Sequence, residues 1–453
     1  MEAATKESRP LFTNQQLCAL IVPLLIEQLL AVAVGMADTM MVSQAGEAAV
    51  SGVSLVDMIN NLIIYLFSAL ATGGAVVTSQ FIGAQRIREA GDSAGQLVLL
   101  SLLSGLGILA FCLLCGRPVM RLFFGSITED VMEAGLLYLR ITAVSYPFLA
   151  LYNAGAALFR SVGNSGISMR VSIVMNIINI VGNAIGVLVP HLGVAGVALP
   201  TLISRAVAAF LILRAAEHGA GPVQLHLRGL RLRGHMVRRI LEIGVPSAVE
   251  NGLFQLGRLL VVSIIATFGT AQIAANAVAN NLDGMAILGG QALGLATITV
   301  VGQCVGAGDY AQARRYNRKL MLISWLLIAA SAAAILTSLP LLLNLYNISD
   351  EARVLSAQLV RLHNIPAVAL WCLSFTLPNT LRAAGDARFT MVVSIVSMAV
   401  FRIGFSVVLG IWMGLGAIGV WIAMDIDWVC RVICFVARYF SGAWTRKYQN
   451  YQA

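Results

Sequence analysis

Twelve long apolar stretches follow one another along this chain of 453 residues, at about 14–42, 50–81, 96–116, 131–159, 169–189, 194–213, 239–267, 274–305, 320–343, 352–381, 389–411 and 417–440. A helix needs about 20 such residues to cross the hydrocarbon core of a bilayer. In that solvent every backbone N–H and C=O must find its partner within the protein, which leaves helices or closed barrels. Runs of this length read as helices. The expected fold is therefore an all-α integral membrane protein with twelve transmembrane helices. Several stretches are longer than a single perpendicular crossing needs and contain Gly or Pro, so tilted or kinked spans are expected.

Composition agrees and excludes other classes. The chain is 58% hydrophobic and only 11% charged, against roughly 25% charged residues in soluble domains. A soluble enzyme, a nucleic-acid binder and a disordered scaffold are all ruled out. The first stretch is long enough to span, so it reads as a helix and not as a removable signal. Cys112 and Cys115 have redox or zinc spacing, but no second pair and no nearby histidine accompanies them, so the seven cysteines read as packing residues.

The net charge of +9 is distributed unevenly. The two tails and the even-numbered connections hold 21 of the 30 Lys and Arg, whereas the opposite loops hold only Arg117, Arg121 and Arg353. The positive-inside bias then puts both termini in the cytoplasm, with the chain in the cytoplasmic (inner) membrane. The longest connection, 217–238, contains the basic amphipathic stretch 225–233. It reads equally as an interfacial element on anionic lipid or as a solvated linker.

An internal repeat divides the chain. At an offset of 223, Val22-Pro23 matches Val245-Pro246, Glu27 matches Glu250, and Gln80, Gly83 and Ala84 match Gln303, Gly306 and Ala307. At 222, Arg160 and Gly163 match Arg382 and Gly385. The expected domains are a six-helix lobe at 1–216, the linker at 217–238 and a second six-helix lobe at 239–453. Six helices per half give both halves one orientation, so their pseudo-twofold runs along the membrane normal with a cleft between lobes. That is the architecture of a transporter.

With these motifs in order, the sequence resembles the multidrug and toxic compound extrusion (MATE) transporters. The resemblance rests on Pro23 with Asp38-Thr39, Gln80-Phe81-Ile82-Gly83-Ala84, Leu158 to Gly163, Asn179 to Asn183, Gly196 to Thr201, Gly244-Val245-Pro246, Gln303 to Gly306 and Leu381 to Asp386. It spans nearly the whole chain. It implies export of amphipathic, mostly cationic compounds driven by inward flow of protons or sodium, with no other cofactor. It also implies that Asp38 is the coupling carboxylate of the N-terminal lobe and that Thr201 belongs to the same polar cluster.

The residues themselves add candidates, because an ionisable group inside an apolar helix is costly and functional by default. Asn179 and Asn183 share a helix face at i, i+4, and Asn176 lies on that face too. Asp38, Asn179, Asn183 and Thr201 together could hold sodium with one carboxylate and neutral oxygens, or could load a proton on Asp38. The asparagines alone could equally be interhelical hydrogen-bonding groups. Glu27 and Glu250 stand at equivalent positions of the two lobes and are expected on opposite walls of the cleft, where they would attract a cation. Their alternative role is to bond backbone freed by Pro23 and Pro246. Asp57 with Asn60 and Asn280 with Asp283 form a further symmetric set, read as bracing. Arg402 occupies the repeat position of Asn179, which argues against a second cation site, and Asp427 and Arg431 should pair. Met36, Met40, Tyr65, Tyr146, Phe254, Met285 and Trp371 are candidates for an adaptable cleft lining.

Two rivals remain at this stage. A flippase of lipid-linked or amphipathic metabolites would share the superfamily and should show a strongly basic cleft. An integral-membrane enzyme or receptor should cluster its catalytic side chains, yet the five histidines are dispersed. The expected partners are small cationic amphiphiles and membrane lipid, with no nucleic acid, and the expected state is a monomer.

Overall fold

The computed structural model describes residues 10–42, 47–125, 128–188, 194–219, 223, 225, 231–346 and 348–446, without the side chains of 36–42, 47–50, 123, 187 and 188. All regular structure among them is helical. The first half holds α1 (Asn14–Val42), α2 (Glu47–Gly83), α3 (Ile87–Phe124), α4 (Glu129–Val144), α5 (Tyr146–Ser161), α6 (Ser165–Leu188) and α7 (Ala195–Glu217). The second holds α8 (Gly234–Ala266), α9 (Thr270–Ala286), α10 (Leu288–Gly306), α11 (Tyr310–Asn344), α12 (Asp350–Trp371), α13 (Leu377–Ala383), α14 (Ala387–Ser397) and α15 (Gly416–Phe440). Three π-helical segments, Cys372–Thr376, Met398–Gly404 and Ser406–Trp412, join or extend α12 to α14. Counting α4–α5, α9–α10, α12–α13 and the extended α14 as single passes gives twelve. By length and apolarity alone, ten helices can cross a bilayer, or eleven when α4–α5, bent by 45°, is taken as one span. The last helix, α15, carries Asp425, Asp427 and Arg431 in its middle.

The repeat is visible in the turns. After α5 and after α13 the chain reverses through Gly163 at φ +87° and Gly385 at φ +88°, the left-handed region that glycine enters without a Cβ clash. Asn164 N–H closes the first turn on Phe159 O at 2.9 Å, and Asp386 N–H closes the second on Leu381 O at 2.9 Å, as helix C-termini ending in glycine do. Each turn fixes the arginine that closely precedes its glycine, Arg160 or Arg382.

The halves meet at the end of the bundle that carries the termini. A Cβ on Gly83 would collide with Gln303 O, and one on Gly306 with Gln80 O, so only glycine permits this approach. Gln80 Nε2 donates to Ala383 O at 2.8 Å and Gln303 Nε2 to Ser161 O at 2.7 Å. The start of α1 also crosses over: Leu17, Leu20, Ile21 and Leu24 share a core with Val300, Val301, Cys304 and Leu320 of the second half. The linker is held as well. Val223 and Leu225 are buried, Gln96 of α3 donates to Arg231 O and accepts from Arg233 N–H, each at 2.9 Å, and Arg233 pairs with Asp92. Residues 226–230 of the amphipathic stretch lie outside the described residues.

Candidate functional site

The two glutamates come to the structure already paired. Glu250 of α8 accepts from Arg382 Nη2 at 2.7 Å, Ser394 Oγ at 2.6 Å and Thr390 Oγ1 at 3.4 Å. Glu27 of α1 lies 4.0 Å from Arg160 Nη1 and beside Ser168. Arg160 and Arg382, like Ser168 and Thr390, are repeat mates at 222, so the same arrangement is built twice. It is tighter in the second lobe, since Glu27 Oε1 is buried without a hydrogen-bond partner among the described residues. A carboxylate neutralised by a guanidinium offers less to a passing cation than a bare one, which shifts attention to what else lines the cleft.

A cavity of about 460 Å³ lies mainly in the second lobe and is closed on its other wall by Gln28, Tyr65, Ser68 and Thr72 of the first. Glu250 lines it; Glu27 is not among its lining residues. Of the candidate apolar lining, Tyr65, Phe254 and Trp371 are present. Tyr146 is fully buried elsewhere, Met285 does not line it, and the side chains of Met36 and Met40 lie outside the description. Phe254, Trp371, Phe375 and Trp428 form an aromatic wall, with Trp371 stacked on Phe375 at 5.3 Å. The charged groups on its surface are Glu250 and Asp283 against Arg258, Arg382, Arg402 and Arg431. The expected pair Asp427–Arg431 is present at 3.0 Å and fully buried, and Arg402 Nη1 stands 3.9 Å from the other Asp427 oxygen.

Sequence reasoning missed one cluster here. His363 of α12 is fully buried. Its Nδ1 lies 2.7 Å from Asp425 of α15 and its Nε2 3.4 Å from Asp283 of α9, while Trp421 and Trp428 pack edge-on against the ring. The three residues come from three helices and are dispersed in sequence. The available signal was an acid or histidine within each of three apolar runs.

The first lobe has its own cavity, of about 440 Å³, lined by Asn176, Asn179, Asn183 and Thr201 on one side and by Asp57, Asn60 and Asn61 on the other. Asn179 Nδ2 donates to Thr201 Oγ1 at 3.1 Å and Asn183 Nδ2 to Asn179 Oδ1 at 3.3 Å. Asp57 Oδ1 accepts from Asn60 Nδ2 at 3.1 Å and from Tyr138 OH at 3.2 Å, and Tyr146 OH donates to Asn60 Oδ1 at 2.6 Å. Asp57 thus braces neighbouring helices and also faces the cavity that holds the candidate coupling residues. Asp38 falls within α1, and its side chain lies outside the described residues.

A family profile described as MatE matches residues 23–185 and again 246–408. The starts of the two matches are separated by the same offset as the internal repeat, so the profile recognises each lobe in turn. The uncharacterized transporter YisQ of Bacillus subtilis is 29% identical over 454 residues, 98% of each chain. The probable multidrug resistance protein NorM of Thermotoga maritima is 23% identical over 448 residues, 96% of this chain and 94% of its own. The solved outward-facing conformation of a multidrug resistance MATE family transporter of the MOP superfamily superposes with a TM-score of 0.89 at 21% identity, covering 95% of this chain and 96% of that one. A MOP superfamily transporter from Pyrococcus furiosus, described as having a binding pocket whose reverse polarity suggests a different function, superposes with a TM-score of 0.87 at 21% identity, over 95% and 96%.

Proposed function

Because the chain belongs to the MatE family of multidrug efflux transporters, a transporter and not an enzyme, we propose that it is a secondary active antiporter. It exports amphipathic compounds, mostly carrying a cationic group, in exchange for protons or sodium, and Asp38 is the coupling carboxylate. Both termini face the cytoplasm, the chain sits in the inner membrane as a monomer, and surrounding lipid is its only obligate neighbour.

The observation that carries this reading is the pair of polar cavities in two repeated lobes that are sealed against each other at one end. Alternating access requires that arrangement: one end closed, with binding groups near mid-membrane. The aromatic wall and Asp283 suit an amphiphile with a positive group, through ring faces and a carboxylate. For Asp38 the support is positional. It stands just beyond Gly35, which lines the first-lobe cavity, and its repeat mate Val261 lines a cavity of the second lobe. Loading an ion there removes a charge that otherwise demands hydration, which stabilises one arrangement of the lobe over the other. Protons are favoured over sodium because Asn183 supplies no carboxylate, and Asp57, which lines the same cavity, already accepts from Asn60 and Tyr138.

A second reading of the coupling locus comes from His363. An imidazole held between two carboxylates, one of them facing the cleft, can exchange a proton where substrate binds. Dye efflux in everted membrane vesicles tests both. Collapse of the proton gradient should abolish transport while removal of sodium leaves it intact. A sodium-dependent, pH-insensitive activity would reject the proton and leave the antiport reading standing. Activity of Asp38→Asn with loss in His363→Gln would move coupling to the second lobe.

A further inference from the structure

The second lobe contains a cavity built partly from repeat mates of the first-lobe cavity's lining, and its lining is more positive. This smaller cavity, about 290 Å³, opens beside the large one and shares Arg258, Asn280, Arg402 and Met424 with it. At the offset of 223, part of the two linings corresponds. Gly35 becomes Arg258, Asp57 becomes Asn280, Asn179 becomes Arg402 and Thr201 becomes Met424. The first-lobe cavity offers a carboxylate, amide oxygens and one guanidinium, that of Arg205. The second-lobe cavity offers two guanidiniums, and among the described residues no carboxylate lines it.

The positive charge there is under-compensated. Arg402 is 7% exposed and sits in the π-helical segment Met398–Gly404, an irregularity that often marks functional sites. Its Nη2 contacts Met424 Sδ at 2.8 Å, and its Nε is buried with no hydrogen-bond partner among the described residues. The one carboxylate within 4.0 Å among the described residues is Asp427, whose Oδ1 already accepts from Arg431 Nε at 3.0 Å and from Ser397 Oγ. Asp283 attracts Arg402 only from farther away. Arg258 has no carboxylate within 4.0 Å among the described residues, and both it and Arg431 lie close enough to repel Arg402. Arg402 and Arg431 therefore share one close carboxylate, and Arg258 has none among the described residues. Such a surplus is costly unless an anion completes it. A guanidinium with open N–H groups is built to receive a carboxylate, sulfonate or phosphate.

We propose that Arg258 and Arg402 form a subsite for the acidic group of the transported amphiphile. This rests on the reading of substrate export above and narrows its substrate class to amphiphiles bearing an anionic as well as a cationic group. The small cavity has room for a charged head group. The aromatic wall of the adjoining large cavity takes the body, and Asp283 faces the positive end.

Tetramethylrhodamine and its methyl ester differ only in whether that acid is free, so they are matched probes. Binding is measured by fluorescence anisotropy on the purified protein in detergent. The free acid should bind more tightly than the ester, and Arg258→Gln and Arg402→Gln should each weaken the acid about tenfold while changing the ester less than about twofold. Arg258→Gln guards against misfolding, because it removes no ion pair seen among the described residues. Phosphatidylglycerol added to the micelles should compete with the acid and spare the ester if a lipid head group reaches the same guanidiniums. No competition identifies the free acid as the occupant. Equal binding of both probes, or equal loss of both in the variants, overturns the subsite while leaving export intact. Failure of both probes to bind removes the substrate reading along with it.

Discussion

Gln80 and Gln303 reach across the lobe boundary in opposite directions, each giving its side-chain N–H to a backbone carbonyl of the other half, Ala383 O and Ser161 O. The four residues are two repeat pairs, so the contact is a twofold latch at the end of the bundle that bears the termini. A transporter must break this latch to expose its cleft on that side. The double variant Gln80→Ala/Gln303→Ala should lose about 2 kcal/mol from the closed state, at about 1 kcal/mol per bond. Cysteine labelling of residues behind the latch should then speed up several-fold. Gly83→Ala and Gly306→Ala should be worse, since backbone carbonyls occupy the space, and poor expression or early melting would report it.

The coupling assignment has its own signature. Asp38→Asn mimics a permanently neutral site, so it should bind dye in detergent with near wild-type affinity yet fail to drive dye accumulation inside everted vesicles. Transport at the wild-type rate would transfer the role to another carboxylate.

The His363 cluster separates stability from transport. His363→Leu leaves Asp283 and Asp425 facing an apolar side chain in a buried site. Thermal unfolding in detergent should show a loss of about 3–5 kcal/mol or failure to purify. His363→Gln keeps an N–H donor for one of the two carboxylates and should fold. If it also transports normally across pH, the cluster is a brace only.

Asp427→Asn tests the charge balance around Arg402 from the other side. It leaves Arg402 and Arg431 buried without their shared carboxylate, and should destabilise the protein by about 3–5 kcal/mol. Arg402→Gln should cost less, because Asp427 keeps Arg431. The reverse order in melting temperature would mean that Arg402 serves packing first.

Topology is checked by labelling single cysteines. Gly414 and Thr270 should react from outside the cell, Arg318 and Gly229 from the cytoplasmic side. Asn317 would be a poor probe, since it is buried and accepts from Thr380 Oγ1 at 2.7 Å. Gly414 and Arg318 labelled from one face would defeat the topology.

Much of this protein was legible in its sequence. Apolar runs long enough to cross a bilayer dictate membrane helices, because the lipid leaves backbone groups no other partner. The internal repeat was legible and the family profile matches each copy, and i, i+4 spacing brought Asn179 to Asn183 and Asp427 to Arg431, since local helix geometry determines such neighbours. What lay beyond sequence was every contact between distant helices. Glu27 and Glu250 read either as cleft carboxylates or as partners of backbone freed by Pro23 and Pro246, until the turns at Gly163 and Gly385 delivered an arginine to each. Asp283, His363 and Asp425 look unrelated along the chain and meet only because α9, α12 and α15 pack together. The difference in charge between the paired cavities has the same origin. Residue types along the chain state which charges exist, but the net charge of a cavity depends on which of them face it and which are paired behind it, and only the packing of helices far apart in sequence decides that.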